Sequence, residues 1–152
     1  MNGHDFSVIV ARELDRLAGE IEAYNDEAEL WRTHGGQKNS SGTLVLHLCG
    51  HLHHYIGAAL GDNGYIRDRP AEFKDRVSRD ELLQRVVHCR SVVTVVLDGL
   101  GSDAMNTEYP GEAPARMAGI RTGAYLGHVV WHMGWHLGQI YYHRVGGVAE
   151  SL

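Results

Sequence analysis

Apolar and polar positions along this chain follow a helical period. Apolar or small residues recur at Phe6, Val10, Leu14, Leu17, Ile21, Tyr24, Ala28 and Trp31. Steps of three and four over that length lay one stripe along an amphipathic helix. Arg12, Glu13, Arg16, Glu20 and Glu27 fill its other face. His34-Gly35-Gly36 breaks the pattern, and Asn39-Ser40-Ser41 offers N-caps for a second helix, predicted from Thr43 to about Leu60. That helix is apolar apart from its histidines, and Gly61-Asp62-Asn63-Gly64 ends it with turn chemistry. A long connection follows. The third helix opens with a capping box, Ser78 and Glu81, and its stripe is Leu82, Val86, Cys89, Val93, Val96 and Leu100.

Residues from Ser102 to about Ala118, with Pro110 and Pro114, read as loop. The fourth helix runs to about Arg144 and is stopped by Gly146-Gly147. Its Gly123, Gly127, Gly134 and Gly138 each weaken an isolated helix by about 1 kcal/mol against alanine; close backbone packing is the expected reason. No strand alternation, internal repeat or low-complexity tract interrupts the pattern. The expected architecture is all-α: a four-helix bundle with a long connection after the second helix, filling residues 1–152 as one domain.

Composition narrows the class. The chain has 152 residues, 43% hydrophobic and 22% charged, which are the proportions of a globular protein. Its net charge of −5, with no basic stripe, argues against a nucleic-acid partner. No apolar run is long enough to span a membrane. Met1-Asn2-Gly3-His4-Asp5 carries no basic stretch leading into an apolar one, so the expected location is the cytoplasm. Cys49 and Cys89 make neither a disulfide framework nor a zinc knuckle.

Histidine is the outlier, and seven of the eleven lie in two segments. The first holds His47, His51, His53 and His54; the second holds His128, His132 and His136. On regular helices 47, 51 and 54 share a face, and so do 128, 132 and 136. Residues four apart project about 40° apart, so His132 and His136 can hold one ion together. His47 from another helix would complete a three-nitrogen set with open positions for water or substrate, as catalytic sites have. Neither helix contains Asp or Glu between Thr43 and Leu60 or between Thr122 and Arg144. A di-iron site built from Glu-x-x-His pairs is thereby excluded, and Met133 after His132 excludes the His-Glu-x-x-His zinc-protease motif. An open, carboxylate-free imidazole site suits zinc, nickel, copper or iron.

A lone helical histidine is more often a surface or hydrogen-bonded core residue, and that reading is favoured for His51, His53, His54 and His128 taken singly. His4, His34, His88 and His143 read as surface or supporting residues. Neither cysteine reads as a nucleophile, since Cys89 falls in a core stripe and Cys49 projects opposite His47. Arg67, Arg69 and Arg116, in expected loops, are candidates to hold an anionic group.

With these motifs the chain resembles the DinB-like (DinB/YfiT-like) metal-binding family. The resemblance rests on Asn39-Ser40-Ser41, on Leu46-His47-Leu48, and on His132-x-x-x-His136-x-Gly138-Gln139-Ile140. Arg67-Asp68-Arg69-Pro70-x-Glu72-Phe73 looks like one subgroup of it. The resemblance implies a four-helix bundle and a divalent metal, nickel or zinc, held by one histidine of the second helix and two of the fourth. Those positions match His47, His132 and His136. It further implies a homodimer and a thiol S-transferase or isomerase that pairs a low-molecular-weight thiol with a small-molecule substrate. The surplus histidines depart from the simple pattern: His51 and His128 sit one turn from proposed ligands, as added ligands or as groups that orient one. Gln139 is expected near the metal-facing side. The competing readings are a non-catalytic metal-binding or stress-related module, a metal-dependent hydrolase, and a bis-histidine haem protein.

Overall fold

The computed structural model describes the backbone of residues 1–149 and the side chains of residues 1–146. Helix α1 (Gly3–Glu22) begins at a capping box in which Asn2 and Asp5 exchange side-chain and backbone hydrogen bonds. It buries Phe6, Val10, Leu14, Leu17 and Ile21. The stripe expected to reach Trp31 as one helix does not. Asp26 accepts from the Ala28 amide and starts a separate 3-10 turn, Glu27–Trp31, which buries Leu30 and leaves Ala28 exposed.

Helix α2 (Ser41–Leu52) is capped by Ser40, whose hydroxyl accepts from the Thr43 amide. It continues through a π-helical stretch, His53–Ala58, into a last turn, α3 (Ala59–Gly61). Nothing in the apolar spacing announces the π stretch. Tyr109 Oη donates to the Tyr55 carbonyl inside it, 2.8 Å away.

The connection expected as loop contains a short helix, α4 (Arg69–Lys74). Asp68 accepts from the Ala71 amide and Pro70 stands in the first turn, which together form a helix start. Helix α5 (Arg79–Asp98) makes only half of its expected capping box. Ser78 accepts from the Glu81 amide, while the Glu81 carboxylate pairs with Arg85 one turn on. Its stripe ends on fully buried Leu97, with Val96 and Leu100 only half-buried. Helix α6 (Ser102–Asn106) and a 3-10 turn, Ala115–Met117, break up the next loop. Helix α7 (Thr122–Ala149) runs through Gly146-Gly147 instead of stopping there.

The fold is all-α, with no β-sheet among the described residues; Glu108 and Arg121 form one isolated bridge. The four long helices make a ring in which α1 and α2 each pack against α5 and α7. Tyr55 lies against Tyr125 and His47 against His136, so α2 and α7 run antiparallel. No helix of the described residues is long and apolar enough to cross a membrane.

Candidate metal centre

The antiparallel α2/α7 seam brings the predicted histidines together. His47, His132 and His136 each present one ring nitrogen, and all three lie within 4.8 Å of one another. His136 Nε2 is 3.1 Å and His47 Nε2 is 3.4 Å from His132 Nε2. Two imidazole nitrogens bound to one tetrahedral ion at about 2.0–2.1 Å would stand about 3.3 Å apart, so the spacing fits a single cation.

The outer nitrogens settle which atoms face inward. His47 Nδ1–H donates to Glu72 Oε2 at 2.9 Å, and His136 Nδ1–H donates to Gln139 Oε1 at 2.7 Å. Each bond fixes a tautomer whose Nε2 lone pair points into the cluster. His132 can supply at most one N–H between them, so at least one inward lone pair has no donor among its neighbours. That is the electronic situation a divalent cation resolves. The His132 Nδ1 is buried without a hydrogen-bond partner.

Burial favours the neutral form of His132 and His136, the form that ligation requires. It lowers the pKa of His132 from 6.5 to about 3, with the neighbouring His136 and His47 adding to the shift. Burial also lowers His136, more than the Gln139 hydrogen bond raises it.

Glu72 is the residue that sequence reasoning missed. The two ligand-bearing helices do lack carboxylates, yet this one reaches the cluster from α4, so the site is not carboxylate-free. Burial pushes its carboxyl up, but hydrogen bonds from His47 and Arg67 and the Arg67 charge outweigh it and hold the pKa below the usual range. Arg67 grips both carboxylate oxygens, Nε to Oε1 at 2.6 Å and Nη2 to Oε2 at 2.9 Å. Gly50 makes room: a Cβ there would lie 2.1 Å from Glu72 Oε1. The legible signal is Asp68 followed by Pro70, which starts a helix and sets Glu72 on its inner side.

The other candidates separate. His51 is buried and stacks on His132 with ring centroids 4.1 Å apart; burial, then the charges of His132 and Arg67, drive its pKa far down. It supports His132 and stands outside the convergent three. His128 stacks on Trp131. His54 stands outside the convergent three; it lies in the π stretch, with its ring against Tyr55. His53 packs on Tyr65 and His88, on another side of α2.

His143, read as a surface or supporting residue, is a core group. Its Nε2–H donates to the Arg32 carbonyl and its Nδ1 accepts from Tyr24 Oη, both at 2.7 Å. Tyr24 Oη in turn accepts from Ser41 Oγ at 2.6 Å. Arg67 is committed to Glu72 and is not the free anion holder expected; Arg69 lies over the Phe73 ring and is exposed, and Arg116 is exposed on its 3-10 turn. Both cysteines are buried. A groove of about 760 Å³ opens one turn along the seam from the cluster, with Leu44, Gly134, Trp135, Gly138, Gln139 and Tyr142 among its walls.

The fold and site define a class: an all-α bundle carrying a three-histidine cluster suited to a divalent metal, beside an open groove. A sequence model described as the DinB superfamily matches residues 10–140. The chain belongs to that superfamily. Comparison with curated proteins and with solved structures gave no match.

Proposed function

We propose that this chain, as a single domain over residues 1–152, binds one divalent ion through Nε2 of His47, His132 and His136 and is a metal-dependent thiol S-transferase or isomerase. The observation that carries the metal reading is the inward turn of two lone pairs, fixed by Glu72 and Gln139. Three imidazoles leave coordination positions open, and the resemblance to the family points to nickel or zinc as the ion. A bound ion would supply Lewis acidity and hold a coordinated thiol as its thiolate at neutral pH.

The chain's own groups do the rest. Glu72, clamped by Arg67, holds His47 in its donor tautomer, and Gln139 does the same for His136. The groove beside Gln139 accepts the organic part of a small-molecule substrate, with Trp135 and Tyr142 as aromatic walls. Cys49 and Cys89 are buried, which leaves the thiol to come from a low-molecular-weight cofactor. Their unpaired state supports the cytoplasm as compartment. A homodimer belongs to the same reading.

Elemental analysis of purified or zinc-reconstituted protein tests the metal. About one ion per chain is expected, falling severalfold in His47→Ala and His132→Ala. Protein that stays metal-free after reconstitution with nickel or zinc refutes the site. For the chemistry, glutathione or a related thiol added to nickel-loaded protein should produce thiolate-to-metal charge-transfer absorption. Metal-loaded protein with no such band and no thiol transfer would leave a non-catalytic metal-binding module.

A further inference from the structure

Gly134 and Gly138 stand one turn apart on α7, and both line the groove beside Gln139. An added Cβ at either position would meet nothing within 4 Å. Of the four α7 glycines expected to serve close packing, only Gly123 does so, against the Met105 carbonyl at 3.2 Å. Alanine at 134 or 138 would favour the helix, so packing inside the chain gives no reason for glycine there. The groove gives one: each missing side chain deepens it, and a larger residue would fill it.

The walls suit a flat ring. Trp135 and Tyr142 are 57% and 71% exposed, and both face the groove. Their positions on α7 lie about 10 Å apart along the helix axis. One aromatic ring between them needs about 3.5 Å on each side. Gln139 stands between the two, with its Oε1 2.7 Å from His136 Nδ1.

Charge sets the other half of the ligand. Lys38 is the one charged residue among the described walls, and it pairs with no carboxylate among the described residues. The chain as a whole carries −5, so an ammonium in an acid-free wall is a local exception that favours an anion. Gln37 and Asn39 flank it in the same wall. Gln37 Oε1 accepts from the His34 amide at 3.2 Å, which leaves its NH2 group to donate. An aliphatic acid would satisfy Lys38 and leave both ring faces wet. An uncharged aromatic would leave the ammonium without a partner.

We propose that this groove binds a planar aromatic anion, a carboxylate or sulfonate, with its ring between Trp135 and Tyr142 and its charged group at Lys38. On the reading of the metal centre given above, on which this part rests, that anion is the small-molecule substrate, held one turn from His136.

Calorimetric titration of chelator-treated protein tests the ligand class without the metal. The probes are naphthalene-2-sulfonate, the uncharged naphthalene-2-sulfonamide, and methanesulfonate, which has the charge and no ring. The first is expected to bind about 10-fold or more tighter than either of the others. Lys38→Met should bring the aromatic sulfonate down to the affinity of the sulfonamide. Gly138→Leu should abolish binding of both aromatic probes by filling the groove, with helicity and zinc uptake unchanged. Gly134→Leu provides the same test should Gly138→Leu fold poorly. Wild type that does not bind the aromatic sulfonate overturns the proposal, and so does equal affinity for the sulfonamide. Lys38→Met or folded leucine variants that bind the sulfonate as wild type does overturn it as well. A protein that binds the sulfonate and takes up no zinc refutes the metal reading and leaves the groove's ligand standing; zinc uptake without sulfonate binding does the reverse.

Discussion

Replacing Gly50 with alanine tests the support of the metal centre at one methyl group. The new Cβ would stand 2.1 Å from Glu72 Oε1 and 2.7 Å from its carboxyl carbon. Ordinary contact requires more than about 3 Å, so the carboxylate must move by about 1 Å or more. Its bonds to His47 Nδ1 at 2.9 Å and Arg67 Nε at 2.6 Å do not survive that displacement together. Hydrogen bonds to charged groups contribute about 1.5–3 kcal/mol each. Alanine returns about 1 kcal/mol of helix propensity. The net expectation is a loss of about 2 kcal/mol in metal-free stability, together with a loss of zinc affinity of about 10–100-fold, as for other groups that orient metal-bound histidines. Urea unfolding in chelator measures the first, and calorimetric titration with zinc the second. Propensity alone predicts the opposite sign. A Gly50→Ala protein more stable than wild type with unchanged zinc affinity would refute the account of Glu72.

His143→Phe should cost about 2–3 kcal/mol, since it leaves the Arg32 carbonyl and Tyr24 hydroxyl without their buried partner; chemical unfolding that shows no change would return His143 to the surface role. Metal-free protein should lose stability as pH falls from 6.5 toward 3, because unfolded chains take up protons that buried His132 resists down to about 3. Glu72, with its pKa held low, contributes stability above its unfolded value that is lost on the same acid side. Thermal unfolding across that range would detect the fall, and a flat profile would contradict the burial of these groups.

The bundle is legible in the sequence because α1 and α5 each bury one stripe, which three- and four-residue spacing records directly, and because α2 is an apolar run buried on nearly every side. The ligand histidines are legible for a related reason: an apolar helix interior with no other polar group leaves imidazole at regular spacing conspicuous. What spacing misses are features set by tertiary partners. The turn at Asp26 is decided by one side-chain oxygen, and the π stretch over His53–Ala58 changes the period without changing the residues. Gly50 looks like a helix weakness until Glu72 is placed over it. Glu72 itself looks like one more surface acid, since α4 is too short to display a stripe. The α7 glycines read as internal packing positions, and an open face cannot be told from a packed one by its residues alone.

The distance along the chain between His47 and His132, 85 residues, has a consequence for how this protein comes to exist. The donors belong to early and late parts of the chain, so the site appears only after α7 has closed the ring. An ion that prefers the assembled site acts as a reversible clasp between the two halves. At free metal about 100 times its dissociation constant, the clasp adds about 2.7 kcal/mol. The persistence of the folded chain against proteolysis should therefore follow the metal supply around it. A cell short of that metal would hold less of the protein.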